Sequence, residues 1–249
     1  MDVRGIKVIG VMGGGVMGGG IAQTCATAGF DVRVRDLNDE LLERTRRTIE
    51  EGRYGLRSGV ERGKLTPEQA EQAKARISYT TRVEDLKDVD LIIEAVPENL
   101  DLKRQVWGEL DTLVKPEAIF ASNTSGLAIS DLNQAVTRKD RFLGYHWFSP
   151  APVMRLIEIV YAPETSEEVI RTMEQLGERL GKVTIRVKDA PGKYGFVANR
   201  IYFAAVAEAR RVLEEGIASV EDINKAMVYG FNWPVGPLAM AEGARKGWG

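Results

Sequence analysis

The chain has 249 residues, 44% of them hydrophobic and 28% charged, with a formal net charge of -2. That length accommodates one large domain, or a large and a small one, and the near-balance of charge excludes a global electrostatic case for nucleic acid while leaving room for a local basic patch. The single cysteine, Cys25, excludes an internal disulfide and a cysteine-based zinc site, and no apolar run approaches the ~20 residues needed to span a bilayer. The opening Met1-Asp2-Val3-Arg4 has neither the apolar core of a signal peptide nor the composition of a transit peptide, so a cytoplasmic protein is expected.

Along the chain, strand-like stretches occur at Ile6–Gly10, Asp31–Asp36, Ile77–Thr81, Asp90–Val96, Ala118–Ser122 and Phe142–Trp147. Helix-length segments at Met17–Ala28, Glu40–Arg57 and Leu102–Val114 lie between them. Continuous apolar runs such as Leu91-Ile92-Ile93 suit strands covered on both faces, which parallel strands with crossover helices require. Thr66-Pro67-Glu68-Gln69 combines a capping box with proline at the first helical position, so a helix starts there. Beyond Phe142, two short apolar runs flank Ser149-Pro150-Ala151-Pro152. A helix follows, with Thr165 and Glu168 as its capping box and Gly181 where a C-cap glycine belongs. Val183–Lys188 reads as a last strand, and Asp189-Ala190-Pro191-Gly192 is a turn signal. The expected organisation is therefore an α/β domain over residues 1–189 and a smaller, all-helical domain over 190–249, with helices at Phe196–Glu215 and Val220–Met227.

The stretch Gly13-Gly14-Gly15-Val16-Met17-Gly18 fits G-x-G-x-x-G directly after a strand and at the start of a helix. Gly13 permits the tight turn, Gly15 lets the backbone approach a pyrophosphate, and Gly18 lets the helix pack close, its positive N-terminus aimed at the phosphates. Val16 and Met17 belong to the same cradle. A glycine motif alone is weak, but here Asp36 closes the second strand, where an acid accepts hydrogen bonds from the adenosine ribose and repels a 2′-phosphate. The pattern predicts a Rossmann-like, doubly wound sheet binding NAD, with the adjacent Arg35 as the feature that would favour NADP instead.

His146 is the only histidine. A lone histidine is more often structural than catalytic, but its neighbourhood reads as strand, proline-rich turn, strand. If the chain reverses near Pro152, residue 146 pairs with residue 158, which is Glu158, and directly opposed residues have Cβ atoms about 4.5–5.5 Å apart. Glu158 sits in the apolar run Leu156-Ile157-Glu158-Ile159-Val160, where a buried carboxylate needs a partner. A His–Glu pair provides a general base, the proton acceptor that oxidation of an alcohol by NAD requires. No metal-ligand cluster, G-x-S-x-G elbow or Walker A loop competes.

At these residues the chain resembles the L-3-hydroxyacyl-coenzyme A dehydrogenases, over about Ile6 to Met240. The matching blocks are Gly10–Ala22, Glu94–Leu100, Ser122–Ser125, His146–Met154, Phe196–Arg200 and Trp233–Leu238. The resemblance implies that His146 and Glu158 are the catalytic pair, that Ser125 hydrogen-bonds the reacting oxygen of the substrate, and that Asn199 helps complete the site. It places Glu98, Lys103, Ser122 and Asn123 near the nicotinamide end of the cofactor, and implies that the basic segment Arg53–Lys64, Lys64 in particular, meets the phosphates of an acyl-CoA substrate. Ordinary capping or solvated roles are open for Ser125, Asn199, Glu98, Lys103 and Lys64. A homodimer and a fusion to, or association with, an enoyl-CoA hydratase are further implications. The sequence departs from the family at Ser149, where Asn is usual, in the inserted Lys193-Tyr194-Gly195, and in ending at Gly249 before the helices that usually complete the second domain and the dimer interface, with no ending signal at Lys246–Gly249. The alternatives are an NAD-dependent dehydrogenase of a free hydroxy acid or sugar acid, and a non-catalytic NAD-binding protein.

Overall fold

Strands appear at every apolar run expected to form one. In the computed structural model, which describes Val3 and residues 5–245, these are β1 (Val8–Met12), β2 (Asp31–Arg35), β3 (Ile77–Thr80), β4 (Leu91–Glu94), β5 (Ile119–Ser122), β6 (Phe142–Trp147), β7 (Leu156–Tyr161) and β8 (Val183–Lys188). The opening Met1, Asp2 and Arg4 and the closing Lys246–Gly249 lie outside the described residues. The strands form one sheet in the order β3-β2-β1-β4-β5-β6-β7-β8. Every neighbouring pair is parallel except β6 and β7. β1 starts and ends two residues later than expected, because Val11 and Met12 stay in register with Val34 and Arg35 on one side and Ile93 and Glu94 on the other.

The crossover helices are α1 (Val16–Thr27), α2 (Asp39–Glu51), α3 (Leu56–Glu61), α4 (Pro67–Ala75), α5 (Leu100–Leu113), α6 (Ile129–Leu132) and α7 (Glu167–Arg179). The single helix expected over Glu40–Arg57 is broken, because Gly52 leaves α2 in an extended conformation and Gly55 restarts the chain as the N-cap of α3. The Thr66/Gln69 capping box is formed, with Pro67 at the first position. The Thr165 cap is not. Ser166 caps α7, while the Thr165 hydroxyl donates to the Phe142 carbonyl (2.8 Å) and accepts from Ala162 N–H. Two adjacent hydroxyl residues made either assignment legible, and the demand of the β6 end decided it. Gly181 follows α7 at φ 71, as a C-cap glycine should.

The sheet is buried on both faces. Ile9, Ile21, Val32, Leu91, Leu143, Ile157 and Met173 belong to one cluster with α1 and α7. Trp107 from α5 stacks against Phe120 and Phe142, ring centroids 4.9 Å apart in each case. The chain divides into two compact units, Met1–Tyr194 and Gly195–Gly249. Asp189, at the expected boundary turn, is engaged within the first unit, accepting from the Ile129 and Ser130 N–H groups at the start of α6. The second unit consists of α8 (Ala198–Glu214), α9 (Val220–Phe231) and α10 (Pro237–Arg245). The sequence reading contained the first two. The third begins with Pro237, and its free N–H groups at Leu238 and Ala239 are accepted by the Asn224 side chain, a long-range cap with no local signature. No described helix is long and apolar enough to cross a membrane.

Arg138 closes the far end of α5. Its guanidinium donates to Asp111 Oδ1 (2.7 Å) and to the carbonyls of Asp111 and Val114, and lies over the Phe120 ring. Replacing Arg138 with Leu removes one partner of a largely buried pair, which costs about 3–5 kcal/mol, or roughly 6–20 °C in Tm for a domain of this size. Burial pushes the Asp111 carboxyl up, but hydrogen bonds from Thr137 and Arg138 outweigh it and hold the group below the usual carboxylate range. Its contribution is therefore complete above that range and is lost as pH falls through the lowered value. The Tm gap between the native chain and Asp111→Asn is expected to narrow on acidification; a gap that widened would contradict the pairing.

Candidate active site

The glycine turn lies where the strand order reverses. β1 pairs with β2 on one side and β4 on the other, and the crevice outside the carboxyl ends of such strands is where α/β sheets bind ligands. Gly13 turns the chain at φ 96, and a Cβ there would stand 2.9 Å from the Ala95 carbonyl oxygen. A Cβ on Gly18 would stand 1.8 Å from the Gly13 carbonyl oxygen, so α1 can approach its own loop only with glycine at that place. In front of the helix the space is open. Among the described residues nothing lies within 4 Å of the Cβ position of Gly15, and no side chain caps the helix. Val16 is exposed and Met17 half-buried at this end. Asp36 stands at the lip, its carboxylate accepting from Gly14 N–H (2.7 Å) and Leu37 N–H (2.7 Å). A carboxylate has about four acceptor positions, so capacity remains for ribose hydroxyls. Thr45 of α2 lies 2.7 Å from the Gly14 carbonyl and braces the loop from below. An uncapped helix N-terminus, a bare glycine loop and a held acid fit the pyrophosphate and ribose of NAD.

Beside this cradle, at the ends of β4 and β5, lies a group the sequence reading missed. Glu94 has no exposed surface. Its Oε1 accepts from Lys103 Nζ (2.5 Å) and Val96 N–H (2.8 Å), and its Oε2 accepts from the Ser122 hydroxyl (2.7 Å). Burial pushes the Glu94 carboxyl up, against the pull of the Lys103 ammonium and these hydrogen bonds. Lys103 also donates to the Val96 carbonyl and faces Glu98 at 3.4 Å. With 1% of its side chain exposed, Lys103 lies beneath the site rather than on its surface, and Ser122, fully buried, turns its hydroxyl into the same network. The resemblance places both near the nicotinamide end of the cofactor; in the structure they share one buried network at the ends of β4 and β5. Glu98 accepts from the Thr124 hydroxyl (2.7 Å) and Ser125 N–H (2.8 Å), which fixes the loop carrying the half-buried Ser125. The Asn123 side chain accepts from Trp147 N–H (2.9 Å) and so ties that loop to β6 one residue past His146.

β6 and β7 pair in the register Tyr145↔Ile159, His146↔Glu158, Trp147↔Ile157. His146 Nδ1 lies 2.7 Å from Glu158 Oε2, with His146 3% exposed and Glu158 0%. The Phe148 ring packs beside the imidazole at 4.5 Å between centroids. In the tautomer that donates Nδ1–H to the carboxylate, Nε2 carries the lone pair of the ring. Lys64 is exposed and lines a separate cavity of about 430 Å³ with Tyr54, Arg62, Arg155 and Lys182. Asn199 lies in the first turn of α8, in the second unit.

Two family models match in sequence: 3-hydroxyacyl-CoA dehydrogenase, NAD binding domain, over residues 8–190, and 3-hydroxyacyl-CoA dehydrogenase, C-terminal domain, over residues 195–247. A probable 3-hydroxybutyryl-CoA dehydrogenase of Deinococcus radiodurans is 42% identical over 94% of this chain and 81% of its own length. The crystal structure of an (S)-3-hydroxybutyryl-CoA dehydrogenase from Ralstonia eutropha superimposes with a TM-score of 0.89 at 41% identity, covering 95% of this chain and 81% of that one. A diketoreductase structure, described as acting on dicarbonyl compounds, gives 0.85 at 33% identity over 94% of this chain and 82% of its own. The chain thus belongs to the 3-hydroxyacyl-CoA dehydrogenase family.

Proposed function

We propose that the protein oxidises the 3-hydroxyl of a 3-hydroxyacyl-CoA to the 3-ketoacyl-CoA, reversibly, with NAD as cofactor. The observation that carries this reading is the 2.7 Å contact between the sole imidazole and a carboxylate without solvent exposure. NAD, when bound, supplies the acceptor for the C3 hydride. Nε2 of His146 takes the hydroxyl proton as the hydride leaves C3, while Glu158 orients the ring and stabilises the imidazolium. In the reverse direction His146 returns the proton. Ser125, on the loop fixed by Glu98, holds the same oxygen. Gly13, Gly15 and Gly18 carry the pyrophosphate, and Asp36 takes the adenosine ribose. Lys64, with Arg62 and Arg155 on the same cavity, meets the anionic end of coenzyme A. In this reading residues 1–189 serve as the dinucleotide-binding domain and 190–249 as the helical domain that follows it.

A second reading, reduction of a free carbonyl compound, is favoured by the likeness to the diketoreductase. Consumption of NADH with acetoacetyl-CoA, compared with free acetoacetate and other free keto acids, separates the two. Turnover of the thioester supports the first reading; turnover confined to free acids supports the second.

His146→Gln is expected to lower kcat by ~10²–10⁴, the usual contribution of a positioned base, with NAD affinity little changed. An undiminished rate removes His146 from the mechanism. Asp36→Ala is expected to weaken NAD binding and relax discrimination against NADP, measured by titration with both cofactors. An unaltered preference would contradict the ribose contact.

A further inference from the structure

Lys182 stands immediately before β8 and is 8% exposed. Its Nζ donates to the carbonyls of Ala151 (2.6 Å) and Met154 (2.7 Å) and lies 5.3 Å from the centre of the Trp147 ring. Among the described residues no carboxylate forms an ion pair with it. Burial pushes its ammonium down to about 8. A buried charge without an acid costs stability that an apolar side chain of similar volume would not. Stability alone therefore does not account for a lysine here.

The two carbonyls it holds belong to the turn between the catalytic strands. Residues 148–155 join β6 to β7, and Val153 and Met154 fold back onto the Pro150 carbonyl. The His146↔Glu158 pair is next to last in the ladder before this turn. The same turn rests on the phosphate-loop helix, where a Cβ on Gly20 would come within 3.0 Å of Pro152 and 3.1 Å of Ala151. The turn is thus held both by packing on α1 and by the Lys182 ammonium.

We infer that Lys182 is a positioning residue, whose ammonium clamps the Ala151–Met154 turn against α1 and so holds the imidazole of His146 on Glu158 at the distance the reaction uses. The inference rests on the dehydrogenase reading for its kinetic consequence, but not for its structural one. Released from its clamp, the turn frays the open end of the ladder. A misplacement of about 1 Å is enough to cost ~10²-fold in rate.

The test uses the full chain with Lys182→Met and with Lys182→Cys. The engineered thiol can be alkylated by 2-bromoethylamine, which restores an ammonium at nearly lysine length, or by iodoacetamide, which restores none. Native Cys25 is fully buried with its thiol pushed up to about 12, so it stays protonated and unreactive. With acetoacetyl-CoA and NADH, kcat is expected to fall about 10–100-fold in both variants, with the KM for NADH within about threefold of native. Aminoethylation restores most of the rate and the neutral adduct does not. Because the chain holds one histidine, the imidazole Nδ1–H resonance is unambiguous in a proton spectrum. It is expected in the native and aminoethylated proteins and broadened or lost in Lys182→Met. A kcat within twofold of native in Lys182→Met with an unaltered resonance, or equal rescue by both adducts, would overturn the assignment. A native protein inactive on thioesters, but with a resonance that still depends on Lys182, would refute the dehydrogenase reading and leave the clamp standing.

Discussion

A carboxylate removed from water must be bonded, and this sheet buries two of them, Glu94 and Glu158, with no exposed surface. An uncompensated charge in such a place costs several kcal/mol, so each carboxylate dictates what surrounds it. Around Glu94 gather the Lys103 ammonium, the Ser122 hydroxyl and the Val96 N–H. Around Glu158 the partner is the imidazole of His146. The first group locks the ends of β4, β5 and α5 together and makes a floor. The second seats the only imidazole of the chain against an acid. The same electrostatic demand therefore organises both groups.

Topology brings these groups to one edge. The parallel strands β1, β2, β4, β5 and β6 all end on the same side of the sheet, and the glycine turn, Asp36, Glu94, Ser122 and His146 are found at those ends. The antiparallel return of β7 is the one break in the parallel run. Through that break an acid in mid-strand comes to face the histidine. A parallel β7 would carry Glu158 on the opposite course and remove the pairing. The facing of His146 and Glu158 thus depends on a single reversal, after which β7 and β8 run against the other six strands.

The parts legible from sequence were those with short-range signatures. The glycine spacing, the apolar runs, the Thr66 capping box and the opposition of His146 and Glu158 all depend on residues within a dozen or so positions of each other. What escaped required distant partners. Glu94, like Glu158, is an acid in an apolar strand, but it closes its run, its partner is nine positions on in a helix, and no ladder register pointed to it. Lys103, expected near the nicotinamide end with an exposed helix-start role as the alternative, is buried against Glu94. Asp189, in the expected boundary turn, also accepts from the first N–H groups of α6, sixty residues earlier, which no local signal announces. The third helix of the second unit is capped by Asn224 from another helix. The break after α2 was written in Gly52 and Gly55, and there the helical periodicity of the flanking residues masked it.

The claim on which the rest turns is that a carboxylate cut off from water orients the only imidazole of the chain for proton transfer next to a bound dinucleotide. Stopped-flow oxidation of NADH by acetoacetyl-CoA, in the native protein and in Glu158→Gln side by side, addresses it most directly. The account predicts rapid oxidation by the native protein and a loss of ~10²-fold or more in the variant, the scale of a misoriented base, while NADH still binds. Equal rates in the two proteins would contradict it.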